Sequence, residues 1–336
     1  MRDTALESIK LIPKQIQQAW TEMYDVEIAD QYRQAELIAF AGMGGSIYNY
    51  HVINSLFKDQ IKKPIIKINN YQSPLYYNQQ TLFVALSYSG STEEVVYDLK
   101  QAEKRECQCF VLSTGGSVID YAKEKNVPYY QFKPIHNPSG QPRMGQGYML
   151  FGPIALLNKL GYFQPDVNIQ ELAELDNLLS KISESAEKLS KQVMNQELFF
   201  VASDHLAGNA HILRNQTNET AKLFANYNLI PELNHHLMEG LKNPKSRNKT
   251  FIFLESDLYF KRNQTRVELT KEVIEKNKLN MLSYKPQTKT KLAQFVEILI
   301  WGGYFTYFLG KAYGEDPNKI PWVDYFKEKL GKMTEL

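Results

Sequence analysis

The sequence predicts an α/β protein with two lobes, each a parallel sheet flanked by helices, joined by a connecting helix. Three observations predict this fold: short apolar runs, Gly- and Ser-rich turns after several of them, and helical stretches in between. Unbroken apolar runs are typical of parallel strands, because crossover helices cover both faces of the sheet. At about 100–200 residues per domain, 336 residues are enough for two domains that each bury a core.

The first half of the chain predicts five strands. Their candidate ranges are 36–41, 64–68, 81–86, 109–112 and 128–132. The first strand ends at a Gly-rich turn before a helix that runs to about residue 57, and the third ends at a Ser-rich turn before a helix over 93–106. An apolar helix follows Arg143. We expect this N-terminal lobe to span residues 1–165.

The second half repeats the alternation after a polar stretch, residues 168–192, that has leucines at helical spacing. We expect a connecting helix over 166–192 and a C-terminal lobe over 193–336. The candidate strands of this lobe are 198–202, 250–254 and 280–284. One candidate helix begins near Leu206, a second covers 290–313 and a third covers 322–331. Pro321 suits the start of the last helix, because the N–H that proline lacks would be unpaired there.

The composition excludes several classes of protein. Thirty-nine basic and 37 acidic residues leave a net charge of +2, which favours neither nucleic acid nor an anionic membrane as a partner. The N-terminus has no signal-peptide core, and Cys107 and Cys109 are too few for a disulfide framework. The apolar stretch from Ile298 to Gly310 is shorter than the about 20 residues of a membrane helix, so it predicts a buried helix. We expect a cytoplasmic protein without a metal or other cofactor.

A Gly-rich loop, residues 42–46 (Gly-Met-Gly-Gly-Ser), follows the first strand and opens a helix. Such a loop presents backbone N–H groups at a helix N-terminus, which favours an anion there. A dinucleotide site would need a third glycine where Ile47 stands, so nicotinamide binding is disfavoured. Two interpretations remain open: a phosphate-binding loop that includes Gly44, Gly45 and Ser46, or a turn that only packs the strand against the helix.

A second loop, residues 87–92 (Ser-Tyr-Ser-Gly-Ser-Thr), places four Ser and Thr hydroxyls at the end of a strand, before a helix that starts with Glu93. A hydroxyl followed by glutamate is a common helix N-cap, but a cap leaves the other hydroxyls unexplained. Ligands of open α/β sheets bind beyond the carboxyl ends of the strands, where both loops lie. The loops therefore predict a sugar phosphomonoester as the ligand, with Ser87, Ser89 and Thr92 among the groups that bind its phosphate.

These loops resemble the signature loops of sugar isomerase (SIS) domains. Residues 218–222 (Asn-Glu-Thr-Ala-Lys) and 231–235 (Pro-Glu-Leu-Asn-His) are similar to motifs of the bifunctional phosphoglucose/phosphomannose isomerase family, and Arg143 before an apolar helix fits the same pattern. The remaining similar stretches are 313–317 and 325–330. The resemblance covers nearly the whole chain, with the motifs in the family's order.

The resemblance implies interconversion of glucose 6-phosphate and fructose 6-phosphate through an enediol, and it leaves mannose 6-phosphate open as a further substrate. Carried over by motif, Glu219 is the base that moves a proton between C1 and C2, and Arg143 stabilises the enediolate. His235 assists ring opening, with Lys327 near the ring oxygen. One carboxylate can return the proton that it takes, so this chemistry needs no redox cofactor and no metal. The resemblance also implies a homodimer in which His235 enters the neighbouring subunit's active site.

Some residues depart from the family, and other functions stay open. Residues 144–148 replace the small and aliphatic residues expected after Arg143, and Ile320 stands where a hydroxyl is linked to mannose acceptance, which weakens the case for mannose 6-phosphate. The alternative is a sugar-phosphate sensor that binds without turnover, but the N-terminal segment is too short for a DNA-binding helix-turn-helix. An aminotransferase that forms glucosamine 6-phosphate would need a glutaminase domain with an N-terminal cysteine, which is missing.

Overall fold

The computed structural model describes residues 3–71, 74–163, 172, 174–244 and 248–331. Its first sheet has five parallel strands in the order β2-β1-β3-β4-β5. The strands are β1 (Leu37–Ala41), β2 (Ile65–Ile68), β3 (Thr81–Ser87), β4 (Gln108–Ser113) and β5 (Tyr129–Gln131). The accompanying helices are α1 (Thr4–Lys10), α2 (Ile12–Asp25), α3 (Tyr48–Leu56), α4 (Glu93–Lys104), α5 (Ser117–Glu124) and α6 (Gln146–Lys159). All five predicted strands of this half are confirmed, with nearly unchanged bounds.

The two faces of the first sheet belong to different hydrophobic cores, as the alternation of side chains along a strand requires. Ala39 and Phe83 belong to the smaller core, which includes residues of α4 and α5. Phe40 and Val84, the next residues along the same strands, belong to the larger core together with α2, α3 and α6. Helices therefore cover both faces, which is why the strands are apolar throughout.

The second sheet has four parallel strands in the order β7-β6-β8-β9. The strands are β6 (Glu197–Ser203), β7 (Ala225–Ile230), β8 (Lys249–Leu254) and β9 (Asn280–Tyr284). The helices of this half are α7 (Leu179–Gln192), α8 (Ala207–Gln216), α9 (Leu237–Gly240), α10 (Lys261–Lys276), α11 (Lys291–Ala312) and α12 (Pro321–Leu330). The predicted fold class of two lobes with parallel sheets is confirmed. Strand β7 and helices α9 and α10 are absent from the predicted elements of this half.

The larger core continues through both lobes, since it includes Phe40 of the first sheet and Phe200 of the second. Helix α11 forms much of this core. By length and composition it is apolar enough to cross a membrane, but 94% of its most apolar 18-residue stretch is buried inside the protein. The prediction of a buried helix at this position is therefore confirmed.

The described residues include the second part of the predicted connecting helix. Within the predicted stretch 166–192, a 3₁₀ turn covers Glu174–Leu178 and α7 begins at Leu179. Helix α7 packs along α11 of the C-terminal lobe. The predicted boundary between residues 165 and 166 lies outside the described residues, and the domain limits stay a prediction.

Candidate active site

The two Ser- and Gly-rich loops meet at the carboxyl ends of β1 and β3. Strand β2, which follows β1 in the chain, pairs with one edge of β1, and β3 pairs with the other edge. A crevice at such a topological switch point is where open α/β sheets bind their ligands. The loops are in contact there, since the backbone N–H of Tyr88 donates to Ser46 Oγ at 3.4 Å.

Gly45 of the first loop lies against Gln146, the first residue of α6. A Cβ atom on Gly45 would stand 2.8 Å from Gln146 Nε2, so a side chain here would displace the glutamine. Gln146 is almost fully buried, and its Oε1 has no hydrogen-bond partner among the described residues. Gly44 takes a left-handed φ of +53°. The loop therefore depends on its glycines for its shape and for its contact with α6.

The hydroxyls of the second loop divide into two groups. Ser87 is fully buried, and its Oγ lies 2.8 Å from Thr92 Oγ1 and accepts from the N–H of Gly90 at 3.0 Å. Ser89 and Ser91 are exposed, with their Oγ atoms 3.3 Å apart. The contact between Ser87 and the half-buried Thr92 holds the loop closed, and the exposed pair lies at the N-terminus of α4, where N–H groups favour an anion.

Glu219 lies in a single π-helical turn, Thr217–Ala221, that continues α8. Such turns insert one extra residue into a helix and are frequent at functional sites. Burial raises the pKa of Glu219, while the charges of Arg143 and, to a smaller extent, Lys327 act in the opposite direction. The net effect is a raised pKa, which lies closer to neutral pH than the pKa of an exposed glutamate.

Arg143 reaches the site from a 3₁₀ turn, Pro142–Met144, just before α6. Its side chain is buried, and its guanidinium donates to Gln141 Oε1 at 3.0 Å and to the carbonyl of Pro317. Its Nε has no partner among the described residues. Burial lowers the pKa of Arg143, and the charge of Glu219 is the largest influence that opposes this.

Lys327 and His235 occupy different places. Lys327 lies on α12 with an exposed side chain, near enough to act on the pKa of Glu219. His235 ends the 3₁₀ turn Glu232–His235 after β7, is exposed, and is not among the groups that act on Glu219. One chain thus brings the charges of Arg143 and Lys327 to bear on Glu219, and His235 is not among them.

Sequence reasoning missed Tyr48, which links the first loop to the turn of Glu219. Tyr48 is buried at the start of α3, and its side chain is hydrogen-bonded to Asn215. Burial first and the charge of Glu219 second raise the pKa of Tyr48 far above its usual value. Its position two residues after Ser46 was the available signal, but a tyrosine at that position is equally typical of a hydrophobic core.

No group of three or more His, Cys, Asp or Glu side chains within the described ranges is arranged to hold a metal ion. The cysteines at positions 107 and 109 are free thiols, and burial raises the pKa of Cys107 to about 11.

Comparisons with known proteins agree with this architecture. Residues 182–330 match the family described as the bacterial phospho-glucose isomerase C-terminal SIS domain. A bifunctional phosphoglucose/phosphomannose isomerase of Caldicellulosiruptor bescii is 26% identical over 98% of this chain and 99% of its own. A protein of the same name from Aquifex aeolicus is 28% identical over 91% of this chain and 94% of its own.

The solved structure of tagatose-6-phosphate ketose/aldose isomerase from Escherichia coli has the same fold. It superposes with a TM-score of 0.71 at 16% identity and covers 94% of both chains. The fold and the site therefore define a protein with two tandem SIS-type lobes. Over most of its length the chain is similar to bifunctional phosphoglucose/phosphomannose isomerases, and its second half matches the C-terminal SIS domain of the bacterial phospho-glucose isomerases.

Proposed function

We propose that the protein is an aldose–ketose isomerase that interconverts glucose 6-phosphate and fructose 6-phosphate. The observation that carries the proposal is a largely buried carboxylate, Glu219, acted on by Arg143 and Lys327 in the same protomer as the two contacting Gly- and Ser-rich loops. The relatives named phosphoglucose/phosphomannose isomerase support the same reaction.

The phosphate of the sugar would bind at the switch point between β1 and β3. Ser89 and Ser46 offer hydroxyl donors there, and the N–H groups of Gly44 and Gly45 add backbone donors. Thr92 would contribute its hydroxyl from the position in which Ser87 holds it. These contacts bind substrate and transition state alike, so they serve affinity more than rate.

Glu219 would take the proton from one of the two carbons, C1 or C2, and return it to the other. A raised pKa suits this role, because a base that must also act as an acid works best near the operating pH. Arg143 would stabilise the negative charge of the enediolate, and its Nε, unpartnered among the described residues, leaves one donor for that purpose. Lys327 would lie near the ring oxygen.

His235 would assist ring opening from the neighbouring subunit of a homodimer with a shared active site. Its exposed position on a turn after β7 supports this arrangement, since the side chain projects outward from its own lobe. We further propose that the enzyme works in the cytoplasm, with small sugar phosphates as its partners and without nucleic acid or membrane.

An enzyme is favoured over a sensor by the charge of Glu219. A protein that only binds a phosphate dianion gains nothing from a buried carboxylate near the ligand, because like charges repel and burial of the carboxylate is costly. A proton-transfer reaction requires such a group. The relatives that match over nearly the whole chain also carry enzyme names.

The test is a coupled assay of fructose 6-phosphate formation from glucose 6-phosphate, run with EDTA because the proposed proton transfer needs no metal. Glu219→Gln keeps the shape of the side chain and removes the proton acceptor, so kcat should fall by about 10²–10⁴ with a smaller change in KM. The exposed Glu239→Gln serves as the matched control and should retain wild-type kinetics. Near-normal turnover by Glu219→Gln would show that another group is the base.

A further inference from the structure

Two cationic side chains from opposite lobes hold the loop that connects α11 to α12. Lys222 Nζ donates to the carbonyl of Asp316 at 2.6 Å and to that of Thr220 at 3.2 Å. Arg143 donates to the carbonyl of Pro317, the next residue of the loop. Two neighbouring carbonyls are thus fixed from two sides, one by the N-terminal lobe and one by the C-terminal lobe.

This loop is the main attachment of α12 within one protomer. Residues 321–330, which form α12, include no buried side chain, so packing contributes little to the position of the helix. Pro317 is buried in the loop that precedes it. Within one protomer, the position of Lys327 on α12 therefore depends on how firmly the loop is held.

Lys222 is also tied to Glu219 through the backbone. It follows the π-helical turn of Glu219 directly and takes a left-handed conformation with φ of +53°, which ends that turn. Burial first and then the charge of Arg143 lower the pKa of Lys222, while Glu315 and Asp316 act in the opposite direction. One residue thus ends the turn that carries Glu219 and donates to the loop that leads to Lys327.

We propose that Lys222 is a positioning residue that sets Lys327 relative to Glu219 by holding the Asp316 carbonyl. The residue acts through Lys327: the charges that influence Glu219 are those of Arg143 and Lys327, and Lys222 is not among them. The catalytic consequence rests on the proposed isomerase function. The structural consequence, a fixed α12, does not.

The kinetic test uses Lys222→Met, which keeps an unbranched apolar side chain out to the ε position and removes the donor. If Lys327 moves away from Glu219, the pKa of Glu219 should rise, because a nearby positive charge lowers it. The acid limb of the pH profile of kcat should then shift upward by about 0.5–1 pH unit, which is part of the full effect of a close opposite charge. The double variant with Lys327→Gln should shift no further than Lys327→Gln alone. Lys222→Arg, which retains a charged donor, should restore most of the wild-type profile.

The structural test measures hydrogen exchange of the α12 amides in the full-length protein, so it does not depend on turnover. Exchange should be about tenfold faster in Lys222→Met, the scale expected for one charge-assisted hydrogen bond. The control is Lys319→Met in the same loop, whose ammonium is exposed and lies 3.9 Å from the Asp316 carboxylate; it should change neither readout.

Unchanged α12 exchange in Lys222→Met would overturn the proposal, as would pH shifts that add in the double variant. Failure of the proposed isomerase function would show itself differently, because the wild-type protein would then lack turnover while the exchange experiment still decided whether Lys222 fixes α12.

Discussion

At the scale of single residues, the site is defined by how its charged side chains share a buried space. Arg143 is buried with two of its guanidinium nitrogens bound to protein oxygens, one of them the carbonyl of Pro317. Glu219 lies where burial raises its pKa and two cations restrain that rise. The arginine therefore holds a loop in the free protein and also remains a charge toward which an enediolate can form.

Substrate preference is a prediction at the same scale. Ile320 is the half-buried residue just before α12 and offers no hydroxyl to a water or a sugar oxygen near C2. We expect a lower kcat/KM for mannose 6-phosphate than for glucose 6-phosphate, and we expect Ile320→Thr to narrow the gap. Ile320→Val matches threonine in shape without the hydroxyl and should leave the ratio unchanged. Equal kcat/KM for both sugars in the wild type would show that Ile320 does not set specificity.

At the scale of elements, the sequence predicts what depends on local patterns and misses what depends on neighbours. The strands of the first sheet were predictable because they are short apolar runs between glycine and serine turns. Strand β7 was missed because Asn226 and Asn228 are poor strand formers, and it pairs with β6 on one side only. The motifs marked Glu219 and Arg143, but the contacts of Lys222 and Tyr48 arise from chain segments far apart in sequence.

The second loop depends on a close approach of two backbones at Gly90. Its φ is +74°, and a Cβ atom there would stand 1.6 Å from the carbonyl oxygen of Gly115. Gly90→Ala should therefore push the second loop away from the backbone at Gly115. Because the phosphate donors move with the second loop, KM for the sugar phosphate should rise by about tenfold or more. Gly140→Ala is the matched control, with φ of +68° and no atom within 4 Å of the added Cβ. An unchanged KM in Gly90→Ala would remove this loop from the phosphate site.

At the scale of the whole molecule, the two lobes are joined by packing and by uncharged histidines. His51 of α3 and His211 of α8 stack across the lobes with ring centroids 3.9 Å apart, and Lys67 and Arg214 lie near enough to disfavour their protonation. Desolvation is the largest cause, and it lowers the pKa of His211 to about 3. Burial also lowers the pKa of His205, to about 4.

These histidines predict a loss of stability in acid. Their pKa values lie below the value of about 6.5 in the unfolded chain, so between pH 6.5 and about 4 the unfolded state binds more protons. The stabilisation is complete above pH 6.5 and should fall by about 1.4 kcal/mol per pH unit for each histidine as the pH drops. Urea denaturation across this range would measure the slope, which His211→Asn should reduce and the exposed His236→Asn should not. An identical slope in His211→Asn would exclude His211 as a source.

The last prediction concerns assembly: the active site should be shared across a two-fold dimer. His235 is exposed on the turn after β7. Helix α12 presents Trp322 and Phe326 with 81% and 64% of their surfaces exposed, an apolar face that a second copy would cover. Mixing the inactive variants Glu219→Gln and His235→Ala tests this. In a shared site, each mixed dimer has one site with both lesions and one site with neither. Random pairing makes about half of the dimers mixed, so roughly a quarter of the wild-type sites should reappear. If both residues served the same chain, every site would keep one lesion, and subunit exchange, followed with differently tagged chains, would restore no activity.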